Sequence, residues 1–583
     1  MPAIRLYQSE QWDERRQKEL EEALDKELAA CTEVQPTYRN KVKKFLTHSC
    51  IWHISDIDYE SRMEYEKFLD GEVKPVSKSI YLKCFDRIKQ HSLREQAKTL
   101  RGQQRQKEEY KNQILFLPYH QDQELAGMFN NLAKKVYSVW DFKRSSSETM
   151  KKQVFQILHY IIRQYENSET RSIHLRSLST FYDFCFNEGI EDIEYLELEQ
   201  IEKFLAFGQK KVVGNTETII DICRMALFME APEIHWKANV WYTERLHLEP
   251  ERSNPSQSIK RLSFLNVKNK ENRRMLQIYM KYCLGLTNLS ISVLQAEFII
   301  VKRFLTWLED EEEPEVLKAD PAIIKKYFRM IGEKEIEDAT YNKEVMSILH
   351  FFDYLKVRGF ISKIPFNYEF YLRKTVLKHN DRSMPDTTYL EILTNLKYFQ
   401  EDLRLMFLHL WAVGLRASEV CTLKGNAYYI QGRDAWIQIY QIKLKFYKRI
   451  PIPKALYKLM NIYIESKGIG PKEYIFKNKN GGAYNYTTFR KRMIETCAKC
   501  GIGNGEYMFR THDYRHKIAT SFYDDGVSIQ GVRDYLGHSY EEMTKQYVDF
   551  MPRRIAKASE EFFDREKSSL AAGIRRCKRE KQN

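Results

Sequence analysis

Residues 511–547 read THDYRHKIATSFYDDGVSIQGVRDYLGHSYEEMTKQY, helical patterns broken by a glycine. Thr511 is a candidate helix N-cap, so His512 and Arg515, three residues apart, fall on one face beside an N-terminus that favours anions. Gly537 can end a helix in the left-handed conformation. Ser539 and Glu542 have the spacing of a capping box, which sets His538 just outside a new helix and Tyr547 about two turns inside it. Each feature also has an ordinary reading: a solvated polar face for His512 and Arg515, a core position for Tyr547, one of 37 tyrosines.

Working outward, EDLRLMFLHLWAVGLRASEV (401–420) predicts a helix, a tight turn at Gly414 and the start of a second helix. Arg416 stands at that start and Glu419 three residues on, so both can point to one side of the turn, as an ordinary surface ion pair also would. AYYIQGRDAWIQIYQIKLKFYKRIPIP (427–453) alternates apolar and polar residues around turn candidates, the period-two signal of a short antiparallel sheet. Helices resume after it, and helices around one small sheet define an α+β domain, placed at 385–555.

Before this domain, apolar residues recur at three- and four-residue spacing with few Gly or Pro, which predicts helix after helix. Composition divides the stretch into a helical N-terminal region 1–130, a second helical region 131–245, an inter-domain connection 246–269 rich in Pro, Ser and Asn, and a helical domain 270–378. LREQAKTLRGQQRQKEEYKNQ (93–113) is almost purely polar and reads as a solvated helix or linker, and 556–583 as a C-terminal helix or tail. The segments beginning YRNKVKKFL (38), HLRSLSTFY (174) and FIIVKRFLT (298) share a layout of aromatic-rich helix, acidic turn and second helix, with Phe45 and Phe68, Phe181 and Phe204, and Phe304 and Tyr327 similarly separated. Three copies of a small helical DNA-binding unit fit this. So does the plainer reading that any two amphipathic helices joined by an acidic cap look alike, since no Gly or Pro recurs at a fixed offset.

The chain is globular in composition, 43% hydrophobic, and carries a net charge of +14, with Lys and Arg scattered beside 37 Tyr and 32 Phe. Nucleic acid is the first partner to test. No signal peptide opens the sequence and no run of 18 uncharged apolar residues occurs, so a cytoplasmic protein without membrane association is expected. Ten cysteines are too sparse for a disulfide framework. The lone CxxC, Cys497 and Cys500, lies in a helical pattern with no His at zinc-finger spacing, so idle thiols fit better than a metal site.

Taken together, GLRASE, HDYRH, LGHS and a Tyr nine residues beyond His538 resemble, in order and spacing, the signature of the tyrosine recombinases, the lambda-integrase-like family. The likeness is strongest over the catalytic domain, about 385–555. It continues more weakly over 270–375, which has the layout of the family's helical core-binding domain that clamps the other side of the duplex. The resemblance implies a mainly α, multidomain chain and a catalytic set of Arg416, Lys443, His512, Arg515, His538 and the nucleophile Tyr547, supported by Glu419. Lys443 matches the family's β-hairpin lysine, eight residues before Pro451, and Lys445, expected on the same strand face, is the alternative. Tyr514 departs from the family's usual Leu, and KGNAYYIQGRD lacks the usual acidic pattern.

The chemistry explains the residue types. An anionic phosphodiester must be neutralised before a nucleophile can approach it, and two guanidiniums supply planar forks of donors at any physiological pH. A phenol needs a proton acceptor, for which His512 is suited, and the departing 5′-oxygen needs a donor, for which Lys443 is suited. By the resemblance, His538 hydrogen-bonds the scissile phosphate and Glu419 holds Arg416 or tunes the base. There is neither a GxxxxGK[ST] loop nor an acidic cluster suited to paired magnesium ions, so no ATP, metal or other cofactor is expected.

The resemblance further implies double-stranded DNA with specific core sites as substrate, a homo-tetramer on paired sites built by exchanging a C-terminal helix, and accessory proteins. Residues 1–245 exceed the shortest family members, which leans towards integration or transposition of a mobile element. The alternatives are a catalytically retired DNA-binding accessory protein on the same fold and a type IB topoisomerase or resolvase-like enzyme.

Overall fold

The computed structural model describes residues 14–538 apart from 103, 105–112, 130–136, 211–215, 313, 376–385 and 443. It separates into two compact units, Met1–Tyr242 and Thr243–Asn583. Both are mostly helical, with small antiparallel sheets.

One arrangement of four helices occurs three times. In the first unit it is α1 (Glu14–Ala29), α2 (Pro36–His48), α3 (Tyr59–Asp70) and α4 (Pro75–Ala97). It returns as α5 (Glu148–Gln164), α6 (Ser168–Asn187), α7 (Leu198–Lys210) and α8 (Thr216–Glu230). In the second unit it is α9 (Lys270–Leu286), α10 (Ile291–Leu308), α11 (Pro321–Gly332) and α12 (Asp338–Val357). Each time a single 3-10 turn, Ile54–Asp56, Ile193–Tyr195 or Val316–Lys318, joins the second helix to the third.

The aromatic pairs noted in the sequence are the contacts between those two helices. Ring centroids lie 5.6 Å apart for Phe45 and Phe68, 4.8 Å for Phe181 and Phe204, and 5.0 Å for Phe304 and Tyr327. Phe45, Phe181 and Phe304 are buried, so each pair anchors its own core. The cap of the third helix is chemically variable. Asp58 and Asp320 accept from the backbone N–H of Ser61 and Ile323, whereas in the middle copy the Gln200 side chain accepts from the N–H of Glu197. This variation is why the repeat shows no fixed letter at the turn.

The stretch 246–269, expected as a connection between domains, is packed onto the second unit. Arg252 is buried and donates at 2.8 Å to the Leu284 carbonyl in the last turn of α9 and at 2.9 Å to the Leu289 carbonyl just beyond it. Ser256, Phe264 and Val267 are fully buried beside it. Of the polar stretch 93–113, α4 takes the first part, to Ala97. The expected boundary near 378–385 lies outside the described residues.

The C-terminal part carries α13 (Asp386–Asn395), α14 (Glu401–Val413), the short α15 (Ala417–Cys421), α16 (Lys454–Ser466), α17 (Tyr486–Lys499), α18 (Thr511–Asp524) and α19 (Ile529–Leu536). Between α15 and α16 runs an antiparallel sheet of β1 (Tyr428–Gln431), β2 (Asp434–Gln441) and β3 (Phe446–Ile452), in the order β1-β2-β3. Alternation along β2 buries Ala435, Ile437, Ile439 and Gln441, and along β3 it buries Lys448, Ile450 and Ile452. The register sets Ile439 opposite Lys448 and Ile437 opposite Ile450. The apolar part of this face joins Met406, Phe407, Leu410 and Val413 of α14 in one core. Tyr514, the residue departing from the family's Leu, fills that core too, its ring 5.1 Å from Phe407 and 5.5 Å from Phe509.

Candidate active site

Two helices end side by side at left-handed glycines, and the site is built on those ends. Gly414 (φ 67°) stops α14 and Gly537 (φ 67°) stops α19, a conformation that costs glycine little. A Cβ on Gly537 would lie 2.6 Å from the Gln441 amide nitrogen, so a side chain there would displace Gln441.

Arg515, from α18, is the link between these ends. Its guanidinium is buried, 1% exposed, and donates to the carbonyl of Gly414 at 2.8 Å and to that of Leu536. Arg416 follows the first glycine turn as the N-cap of α15. The Glu419 carboxylate accepts from the Arg416 backbone N–H at 2.8 Å and from its guanidinium at 2.9 Å, and Gln441 of β2 donates to the same carboxylate at 3.0 Å. The pair is therefore buried rather than an exposed surface pair: Glu419 is 4% exposed and the Arg416 side chain 18%. Burial by itself would raise the Glu419 pKa. Lys448, Arg515, Arg416 and the Arg416 backbone N–H together outweigh it and hold the carboxyl below its ordinary value.

His538 sits immediately after Gly537 and is buried, its backbone N–H donating to the Arg533 carbonyl. Burial and the positive charges of Arg515, Arg416 and Lys448 push its imidazole down to about 3, against the opposing pull of Glu419. The ring is neutral at physiological pH and can offer an N–H or a lone pair but no charge.

The structure thus brings Arg416, Glu419, Arg515 and His538 together. His512 is the second residue of α18, on its exposed face, whereas Arg515 turns inward. The N-cap of α18 is Arg510, and Thr511 is already helical, one residue later than expected for a cap. Lys443, Tyr547 and the Ser539/Glu542 capping box lie outside the described residues, as does 556–583. Lys445 does not project from a strand: it occupies the turn between β2 and β3 with φ 55°, exposed, its Nζ 4.0 Å from Glu251. Cys497 is buried and Cys500 half-buried, both free thiols at the end of α17.

One site residue escaped the sequence reading. Lys448 is 4% exposed, and its Nζ has no hydrogen-bond partner among the described residues. The signal was available in FYKRIPI, where Lys448 takes the same strand face as Ile450 and Ile452, a place for an apolar residue.

Among the described residues, no helix is long and apolar enough to cross a membrane. Residues 382–553 match the family model described as "Phage integrase family". The chain is similar to transposase B from transposon PsiTn554 of Staphylococcus aureus, 24% identical over 328 residues, 54% of this chain and 51% of the relative. The chain thus spans about half the length of that relative. It is also similar to a tyrosine recombinase of Pseudothermotoga lettingae, 27% identical over 280 residues, 47% of this chain and 93% of the relative. Among solved structures, XerH site-specific recombinase bound to its palindromic difH substrate aligns at 16% identity and a TM-score of 0.37, over 51% of this chain and 90% of that one. Residues 382–553 thus carry a match to the phage integrase family, and the chain is similar to tyrosine recombinases.

Proposed function

We propose that the protein is a site-specific DNA recombinase of a mobile element, cutting and rejoining DNA through a covalent 3′-phosphotyrosyl intermediate. The observation that carries this reading is the gathering of Arg416, Arg515 and a neutral His538 around one buried carboxylate in a phage-integrase domain. Such a pocket offers two permanent cations and a neutral donor to a phosphodiester. The similarity to a transposon-borne transposase supports the mobile-element part.

In this reading Arg416 and Arg515 hold the non-bridging oxygens and the His538 N–H joins them. The Tyr547 oxygen attacks phosphorus, its proton passing to His512. The bond from phosphorus to the 5′-oxygen breaks, and Lys443 supplies the proton that makes the 5′-hydroxyl. The tyrosyl ester conserves the bond, so a 5′-hydroxyl from a second duplex reverses the step on a new strand. Specific core sites, four protomers on two duplexes and accessory proteins belong to the same reading. An apolar groove of about 430 Å³ lined by Leu408, Trp411, Leu456 and Leu459 is the docking place this reading gives to apolar residues from a neighbouring protomer.

The test uses nicked duplexes taken from the DNA flanking the gene. Wild-type protein is expected to form a denaturant-resistant adduct on one strand, and Tyr547→Phe to bind the same duplex without forming it. An undiminished adduct in Tyr547→Phe removes the nucleophile assignment. Absence of any adduct with the wild type favours an accessory DNA-binding role.

A further inference from the structure

On β3, strand alternation directs Lys448 into the protein opposite Ile439, on the face that ends in Gln441. Its hydrophobic stem is at home there, but its nitrogen is not, having no hydrogen-bond partner among the described residues. A buried ammonium left in that state is costly unless something else compensates it. Among the described residues the groups around it are few. Glu419 and Arg416 come from α15 and its N-cap, Arg515 from α18, His538 from the end of α19, and the Tyr535 ring of α19 lies 5.7 Å from Nζ. The one carboxylate among them is already engaged by Arg416 and Gln441.

We propose that Lys448 is a reserve cation of the pocket, an anion-binding amine that takes up a proton when a phosphate-like oxyanion enters beside Arg416 and Arg515. The identity of that anion as a scissile phosphate rests on the recombinase reading; the anion site itself does not. Burial first, then Arg515 and Arg416, lowers the Lys448 pKa to about 7, with Glu419 opposing. The empty pocket therefore holds Arg416 and Arg515 against Glu419, with Lys448 close to half-protonated at neutral pH. An arriving oxyanion adds negative charge beside the amine and favours the ammonium, whose N–H groups then gain the acceptor they lack. One proton moves from solvent to Nζ, and no other bond changes. Charge is thus supplied when the anion is present rather than stored against Arg515 beforehand. As the phosphorus centre gains negative charge on the way to the transition state, such a group stabilises it more than the ground state.

Inorganic sulfate is the probe, because it does not titrate near neutrality and any proton uptake on binding belongs to the protein. The full chain is titrated calorimetrically with sodium sulfate at about pH 8 and constant ionic strength, in two buffers of different ionisation heat. Wild type is expected to take up close to one proton per saturable sulfate bound, since an amine with a pKa about 7 is mostly neutral there. Lys448→Met is expected to bind sulfate at least about tenfold more weakly and to take up essentially no proton. Lys472→Met, at an exposed lysine with no part in the pocket, is expected to behave as wild type. If Lys448→Met does not melt cooperatively, Lys448→Arg serves instead, with sulfate retained and the uptake abolished because a guanidinium stays charged. Proton uptake unchanged in either variant, or no saturable sulfate binding by the wild type, overturns the proposal. A separate arm measures DNA adduct formation. Proton-linked sulfate binding without any adduct leaves Lys448 in place and removes the recombinase reading instead.

Discussion

The carboxylate of Glu419 grips Arg416 at two points, the backbone N–H at 2.8 Å and the guanidinium at 2.9 Å. One side chain thus starts a helix and fixes the direction of a cation. Glu419→Gln keeps the shape but removes the one carboxylate that, among the described residues, acts on Arg416, Arg515 and Lys448 together. The variant is expected to lose about 3 kcal/mol in urea unfolding, as buried ion pairs do when one partner is neutralised.

The same carboxyl has a pH signature. Its folded pKa lies below the ordinary value of 4.5. Its contribution to stability is therefore complete above the unfolded pKa and is lost as pH falls through the folded one. Wild type is expected to weaken below about pH 4.5 more steeply than Glu419→Gln, read from melting temperatures across an acid series.

His538 acts over a higher window. The folded imidazole titrates at about 3, against an ordinary 6.5. Between these values the unfolded chain binds a proton that the folded chain refuses, so stability is full above the upper value and declines towards the lower. His538→Gln is expected to shallow that decline without abolishing it, because His159 and His409 are each pushed down to about 4 by burial. Parallel melting curves for the two proteins throughout the window would falsify the burial of a neutral His538.

Gly537→Ala meets two obstacles, a positive φ and a Cβ 2.6 Å from the Gln441 amide. Gln441 can swing, but it then releases Glu419. The expected cost is about 1–3 kcal/mol in stability. The loss of adduct formation is expected to exceed what the unfolded fraction explains, which a comparison of activity with the melting curve will show.

Each helical set has its own aromatic anchor. Phe45→Ala, Phe181→Ala and Phe304→Ala are each expected to cost about 3–5 kcal/mol. The Phe45 and Phe304 effects are expected to add in the double variant, since the residues belong to separate units. Chemical denaturation of the single and double variants measures both.

Much of this was legible from spacing. The helix stops at Gly414 and Gly537 and the hairpin strands follow from local rules that act within a few residues, and the three aromatic pairs from a shared layout repeated along the chain. Lys448 was less legible, because only the period-two alternation of FYKRIPI marks it as the inward residue. The packing of 246–269 onto the second unit was hidden for a different reason. Its polar composition is that of a connection, and only tertiary contact shows Arg252 spent on helix-end carbonyls. Burial of the Arg416 pair likewise depends on Gln441 arriving from β2, a partner no local window contains.

Arg515 finally bears on how inactive forms of this protein are to be made. Its guanidinium is tied to the carbonyls of Gly414 and Leu536, so it acts as a keystone between two segments more than a hundred positions apart in sequence as well as a charge in the pocket. Cutting it away loosens the masonry along with the chemistry, and a silent Arg515 variant reports on both at once. Arg416, whose side chain is 18% exposed and bonds no distant carbonyl in the described structure, is the cleaner place to ask what a guanidinium contributes.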